Sequence, residues 1–340
     1  MPRVRRPGAG LGMAGLSAAA FSTSGPFGLS LTAAGWSPGA AVTARAGVAA
    51  VLLAAPAAVS LRGRWREVRR RARLVTAYGL VAVAGCQVRF FNAIRHLPVG
   101  TALLLEYLAP VLVAGWLWAR HGQRPGRATM AGSVLAMTGL LLVIGLAGSH
   151  QAGPVGIAWA LAAAAGLAGY FLLSARSADG LPPVALASAG TGVGAIALAI
   201  LGVAGPLPMH AVFGTVQLDG HHMSWLVPAA GLAVVAMAVA DVTGVAAART
   251  LGPGLASFAA LSEVIFAVLT AWLLLGQRPA VTQLAGGVFI LAGIAAVHAD
   301  TRPRPAWQSR GARGQQSAAV IRLASAEACH LQPTRRNHDC

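Results

Sequence analysis

Charge is the scarcest property of this sequence. Only 10% of its 340 residues are charged, against about 25% in an ordinary soluble domain. Asp and Glu together number nine. Lys is absent, so all 26 basic residues are Arg. A chain this poor in charge, with a 56% hydrophobic fraction, could not cover a water-facing surface, which excludes a soluble domain. Cysteine is almost missing as well. Cys86 lies in an apolar run, Cys329 and Cys340 lie in a polar tail, and no spacing suits a disulfide framework or a metal site. Catalytic signatures are also lacking. There is no Gly-x-Ser-x-Gly, no His-Glu-x-x-His and no phosphate loop, which argues against intrinsic ATP hydrolysis. Gly10-Leu11-Gly12-Met13-Ala14-Gly15 spells a dinucleotide fingerprint, but no strand precedes it, and 42 glycines make a chance match unsurprising. No cofactor and no enzymatic activity are expected.

The chain does have long apolar stretches. A bilayer-spanning helix needs roughly 17–25 such residues. Ten stretches qualify: 10–33, 38–59, 74–94, 98–118, 128–146, 154–175, 184–204, 224–244, 254–274 and 281–299. The first comes after Arg3, Arg5 and Arg6, as a signal peptide would, but its small-residue run continues past Ser30, so a retained helix is expected. With the N-terminus in the cytoplasm and ten alternating spans, 22 Arg fall inside and two, Arg95 and Arg278, outside. Arg45 and Arg89 lie within spans. This bias accounts for the net charge of +17 through an anionic inner leaflet rather than through nucleic acid. The expected location is the bacterial cytoplasmic membrane, multi-pass, with both termini cytoplasmic. Residues 300–340 read as a disordered, Arg-rich cytoplasmic tail.

The chain also repeats itself. Shifted by 154 residues, segment 91–143 lies on 245–297 without a gap, with 15 of 53 positions identical. The informative matches are Arg95/Arg249, Trp118/Trp272 and the block Gly122-Gln123-Arg124-Pro125 on Gly276-Gln277-Arg278-Pro279, with Gly132/Gly286 and Gly139/Gly293 further along. Five spans per half is an odd number, so the second half must enter the membrane upside down. The Arg distribution agrees: loop 60–73 holds seven Arg and its counterpart 214–227 none. Inverted repeats are the architecture of secondary transporters. The expected fold is therefore all-α and integral to the membrane, with ten transmembrane helices as two inverted five-helix repeats, 10–146 and 154–299.

Two segments carry a resemblance. Asn92-Ala93-Ile94-Arg95-His96-Leu97-Pro98-Val99-Gly100-Thr101, continued by Leu105-Glu106-Tyr107-Leu108-Ala109-Pro110-Val111, resembles the fourth-helix region of EamA-type proteins of the drug/metabolite transporter superfamily. Leu261-Ser262-Glu263-Val264-Ile265-Phe266, continuing to Gly276, resembles the same element repeated. Arg45 sits where that family often has Arg. The resemblance covers residues 10–298 and implies two five-helix repeats around a central cavity. It further implies export or exchange of small metabolites, amino acids among them. The chain departs from the family pattern in having Gln123 and Gln277 where Glu is usual, and Val264 where Pro is common.

Charges inside a membrane cost about 2.5–3.5 kcal/mol each on insertion scales and mark functional candidates. Glu106, Asp241 and Glu263 are expected to line the cavity, binding a substrate ammonium or exchanging protons. Arg45 and Arg89 would attract a carboxylate or pair with Glu106. The plain alternative is interhelix ion pairing, and for Arg45 snorkelling to the outer interface is favoured. Tyr107, Gln87 and Asn92 are polar neighbours of the same region. Trp116, Trp118 and Trp272 read as interface anchors, Pro110 and Pro228 as kinks, and Gly190-Thr191-Gly192-Val193-Gly194 as close helix packing. His221-His222 reads as a solvated loop. The expected function is a secondary transporter exporting a small metabolite by alternating access, with proton coupling open. The competing classes are a non-transporting scaffold or sensor and an intramembrane enzyme. The expected partners are a small-molecule substrate and the lipid bilayer; a homodimer is compatible with the sequence.

Overall fold

The computed structural model describes residues 7–97, 99–122, 125–144, 153–176, 181–218, 220–275, 278 and 280–301. The expected tail beyond Thr301, and Gln123, Arg124, Gly276, Gln277 and Pro279 of the repeated block, lie outside the described residues.

Nearly every element is helical, because a backbone in hydrocarbon must satisfy its own hydrogen bonds. In chain order these are α1 (Pro7–Ser22), α2 (Ser24–Ala33), α3 (Pro38–Leu61), α4 (Trp65–Arg70), α5 (Ala72–Ala77), a π-helical stretch (Tyr78–Gly85) and α6 (Cys86–Ile94). Then come α7 (Val99–Glu106), α8 (Ala109–His121), α9 (Arg127–Ile144), α10 (Pro154–Arg176) and α11 (Pro183–Val203). A hairpin, β1 (Thr215–Leu218) and β2 (His221–Ser224), leads into α12 (Leu226–Ala230), a second π-helical stretch (Gly231–Val239) and α13 (Ala240–Leu251). The described chain ends with α14 (Pro253–Ala260), α15 (Ser262–Leu275) and α16 (Val281–Thr301).

Among the described residues, eight helical runs are long and apolar enough to cross a membrane, not the expected ten. The fifth stretch falls short at Arg127–Val143, and the first is split at Thr23. The split has a local cause. Pro26 has no N–H to give the Ser22 carbonyl, and the Ser22 and Thr23 hydroxyls donate back to Ala19 and Ala20, which bends a helix. Thr270 of α15 donates its hydroxyl to the freed Ser22 carbonyl at 3.4 Å. The fourth and ninth stretches break too. Pro110 cannot donate to the Glu106 carbonyl, and the chain turns at Tyr107 and Leu108. A single turn residue, Leu261, separates α14 from α15.

The two π-helical stretches occupy matching places. Shifted by 154 residues, 78–85 falls on 232–239, inside the second stretch. The correspondence between the halves therefore begins earlier than the identities that reveal it.

Small residues bring helices together. Gly79 of the first π-helical stretch abuts α11, where a Cβ would stand 2.5 Å from the Gly190 carbonyl oxygen. On the other side of the molecule α9 and α16 run antiparallel, with Gly132 opposite Gly293 and Gly139 opposite Gly286. A Cβ at any of the four would stand 2.5 or 2.6 Å from the opposing carbonyl oxygen. These are the glycines that the repeat equates, so the contact is reciprocal. The seam continues into a core of Leu140, Leu255, Phe258 and Ile290.

Asp300 ties the seam at one end. Its carboxylate accepts from the Thr129 hydroxyl at 2.5 Å and from the Thr129 N–H at 3.3 Å, capping the first turn of α9. Asp300→Ala is expected to cost about 1 kcal/mol, the usual value of such a cap. The check is a lowered unfolding midpoint in detergent; an unchanged midpoint contradicts the capping role.

The segment between the seventh and eighth expected stretches, 205–223, carries most of the hairpin, and its described residues lie over the turn between α2 and α3. Trp36 donates its indole N–H to the Val212 carbonyl at 2.6 Å. The Ser37 hydroxyl donates to the Pro208 carbonyl at 2.8 Å and accepts from the His210 N–H at 2.9 Å. The rings of Trp36, Phe213 and Trp225 meet at 5.0–5.9 Å. His222 pairs with Gln217 across the hairpin at 3.0 Å.

Candidate functional site

A cavity of about 530 Å³ opens among α1, α2, α3, both π-helical stretches, α6, α7, α8, α10, α13, α14 and α15. Among the described residues, helices α9, α11 and α16 contribute nothing to its walls. Both halves of the chain therefore enclose it, and the glycine seam stands behind it.

Six of the eight expected site residues line the cavity: Arg45, Gln87, Glu106, Tyr107, Asp241 and Glu263. They hold three of the nine acids in the chain. The two broken spans set the acids. Glu106 ends α7 where Pro110 interrupts the ladder, and Glu263 stands in the first turn of α15 just after the Leu261 break. Asp241 is the second residue of α13, just after the second π-helical stretch, the position that Gln87 occupies in α6 after the first.

Two of the three acids have a neutral partner. The Cys86 thiol donates to Glu106 at 3.1 Å. The Thr191 hydroxyl donates to Asp241 at 3.0 Å. Tyr107 and Glu263 lie within electrostatic range of one another. The two hydrogen bonds offset part of the cost of holding carboxylates away from water. Arg45 stands apart from them. Its Nη1 donates to the Ser24 hydroxyl at 3.4 Å, its charge lies 5.6 Å from the centre of the Phe21 ring, and its buried Nε has no partner.

Three expectations are corrected. Arg45 does not snorkel: it is 6% exposed and faces the cavity. The interhelix ion pairs do not form, because among the described residues the one salt bridge joins Arg70 to Glu67 in α4. Arg89 and Asn92 are absent from the cavity walls. Arg89 folds back along its own helix until its Nη1 overlies Gly85. Asn92 spends its amide N–H₂ on the Val88 carbonyl at 2.8 Å, one turn earlier. Helical phase explains both: the face of α6 that turns Cys86, Gln87, Phe90 and Phe91 to the cavity turns Arg89, two residues and about 200° on from Gln87, and Asn92 the other way.

Sequence reasoning passed over Cys86, Thr191 and Tyr170. Thr191 belongs to a run read purely as packing, yet it is fully buried against Asp241. Tyr170 lines the cavity and its ring lies 5.6 Å from that of Tyr78. Rarity was the available signal, since the chain has only three Tyr, and all three stand at or against this cavity. Trp116, Trp118 and Trp272 are exposed and contribute nothing to the cavity.

Comparison with known proteins respects the same division of the chain. No curated protein matches it. Solved structures do. One, described only as the crystal structure of a protein, superposes with a TM-score of 0.66 at 19% identity, over 84% of this chain and 96% of its own. At that identity the likeness speaks for the fold. The model of the EamA-like transporter family matches twice, over residues 8–145 and 154–298. On these two matches the chain, a multi-pass membrane protein, belongs to the EamA-like transporter family.

Proposed function

We propose that this chain is a secondary transporter that exports a small amphipathic metabolite by alternating access. The carrying observation is one cavity, walled by both halves, in which three carboxylates and an arginine meet inside apolar helices. An intramembrane charge is expensive, and convergence of four on one space is what a polar solute crossing hydrocarbon requires. The mechanism is a rocking of the halves about the glycine seam, exposing the cavity to one side and then the other.

In this reading the membrane is crossed ten times, with α1–α2 and α9 joining the eight longer runs. The two repeats are inverted. The reciprocal antiparallel contact of Gly132 with Gly293 and of Gly139 with Gly286 supports this, since an axis in the membrane plane exchanges the two helices. The matched π-helical stretches and the Arg bias support it as well. Both termini face the cytoplasm of a bacterial inner membrane. The carboxylates make proton coupling the natural driving force.

The test compares extracellular metabolites between deletion and overexpressing strains, with a third strain carrying a chain truncated after Thr301. One or a few small amphipathic metabolites are expected to rise on overexpression, fall on deletion and respond equally to the truncated chain. An unchanged profile overturns the reading. A profile that depends on the tail points instead to a scaffold.

A further inference from the structure

One pair of residues that the repeat equates has no part in the cavity wall: Arg95 and Arg249. Arg95 follows α6 directly, and Arg249 stands in the last turn of α13. They lie at opposite ends of α10. His96 and Leu97 crowd Gly156 near its Pro154 end, whereas Arg249 reaches Leu181, past its Arg176 end. There the Arg249 Nη1 donates to the Leu181 carbonyl, two residues before Pro183 opens α11. One turn earlier in α13, Val245 is fully buried in a core with Leu181 and Leu186. That end of the molecule is closed. The matching positions of the first half are not. Phe91, one turn before Arg95, is half-buried and lines the cavity. Arg95 itself is exposed and forms no ion pair among the described residues. In the ten-span reading Arg95 also stands against the charge bias, as one of two Arg on the side opposite segment 60–73.

We propose that Arg95 and Arg249 are paired latches that close opposite ends of the cavity in turn, Arg249 on the Leu181 carbonyl as seen here and Arg95 on the Trp36 carbonyl in the alternate state. This concerns the gating of the same cavity and rests on the transport reading. Trp36 holds the place of Leu181: it stands two residues before Pro38 opens α3, and it too is buried. Its indole N–H and the neighbouring Ser37 are anchored on Val212, Pro208 and His210, so the backbone acceptor is held in position. Inverted repeats exchange conformations when the access side changes, so what α13 does at one end α6 does at the other. Arg suits both roles. Its guanidinium stays hydrated while a latch is open, donates to a carbonyl when it closes, and keeps its proton throughout. A contact made in one state only biases the equilibrium by its own worth.

The experiment reads access to Cys86, which lines the cavity, in a full-length chain carrying Cys329→Ser and Cys340→Ser. The probe is the membrane-impermeant trimethylammonioethyl methanethiosulfonate. It is applied to spheroplasts and to inside-out membrane vesicles, so that each side is read separately. The readout is the labelling rate from the side of segment 60–73 divided by the rate from the hairpin side. Arg249→Gln is expected to raise this ratio about ten-fold, the worth of one hydrogen bond to a charged group. Arg95→Gln is expected to lower it, and the double variant to return it toward the wild-type value. Arg95→Gln carries the test alone where Arg249→Gln fails to fold, since an exposed side chain tolerates substitution. An unchanged ratio in Arg95→Gln, a shift in one direction by both variants, or a Cys86 that neither side reaches overturns the latches. The expected shifts in a protein that changes no extracellular metabolite overturn transport and leave the latches standing. Metabolite export with unshifted ratios does the reverse.

Discussion

Glu263→Gln is expected to reduce transport by about ten-fold or more in proteoliposomes loaded with the exported metabolite, with Glu106→Gln close behind. Gln keeps the volume of Glu and, at position 106, keeps an oxygen to accept the Cys86 thiol. What it loses is the ability to carry charge. Removing one partner of a buried charged contact costs about 2 kcal/mol or more, which sets the ten-fold floor. A purely structural role for these acids predicts the opposite, because a neutral isostere relieves a desolvation penalty and would leave a stable, active protein. The same vesicles separate binding from coupling. If these carboxylates move protons, an imposed pH gradient drives accumulation by the wild type, whereas the variants show only equilibrating flux. Wild-type rates and a wild-type response to the gradient in both variants would sink the assignment.

The second large effect belongs to the seam. Gly286→Ala adds one methyl group 2.5 Å from the Gly139 carbonyl oxygen, with the Val143 and Leu142 side chains crowding it at 2.7 and 3.0 Å. Overpacking of this kind costs about 1–3 kcal/mol, and a rigid carbonyl partner places the seam at the upper end. Its neighbour supplies the control. A methyl group at Gly287 would meet Ile265 at 3.6 Å, an ordinary contact, so Gly287→Ala should be neutral or mildly stabilising. The pair differs by one position and nothing else. Unfolding midpoints in detergent read the difference, and equal midpoints would mean that α9 and α16 do not pack as described.

The apolar runs were legible because hydrocarbon demands length, and length is written directly in composition. The acids were legible because Glu106, Asp241 and Glu263 are conspicuous in such surroundings. Direction was less so. Position along a span gives depth, but the side a residue faces depends on helical phase. Gln87, Phe90 and Phe91 of α6 face the cavity, while Arg89 and Asn92, at the same depth, lie on the other face of that helix and miss it. Arg45 of α3 faces inward. The breaks at Thr23 and Tyr107 trace to Pro26 and Pro110, visible in the sequence, whereas the break at Leu261 has no proline to announce it. Neutral partners were invisible, since a buried Thr191 or Cys86 reads the same whether it packs or donates to a carboxylate.

The π-helical stretches have a consequence for how this chain can vary in length. A π turn behaves as an α-helix that has absorbed an additional residue without lengthening its span. Removing one residue from Tyr78–Gly85, or from Gly231–Val239, would therefore restore a regular helix and leave the side chains after it facing as before. Cys86 and Gln87 in one half, and Asp241 in the other, would stay on the cavity wall. The same deletion in a regular α-helical stretch of either span would turn everything after it by roughly 100°. The surplus residue in each half thus marks where the chain can shorten, and a relative that lacks it would present the same polar groups to the same space.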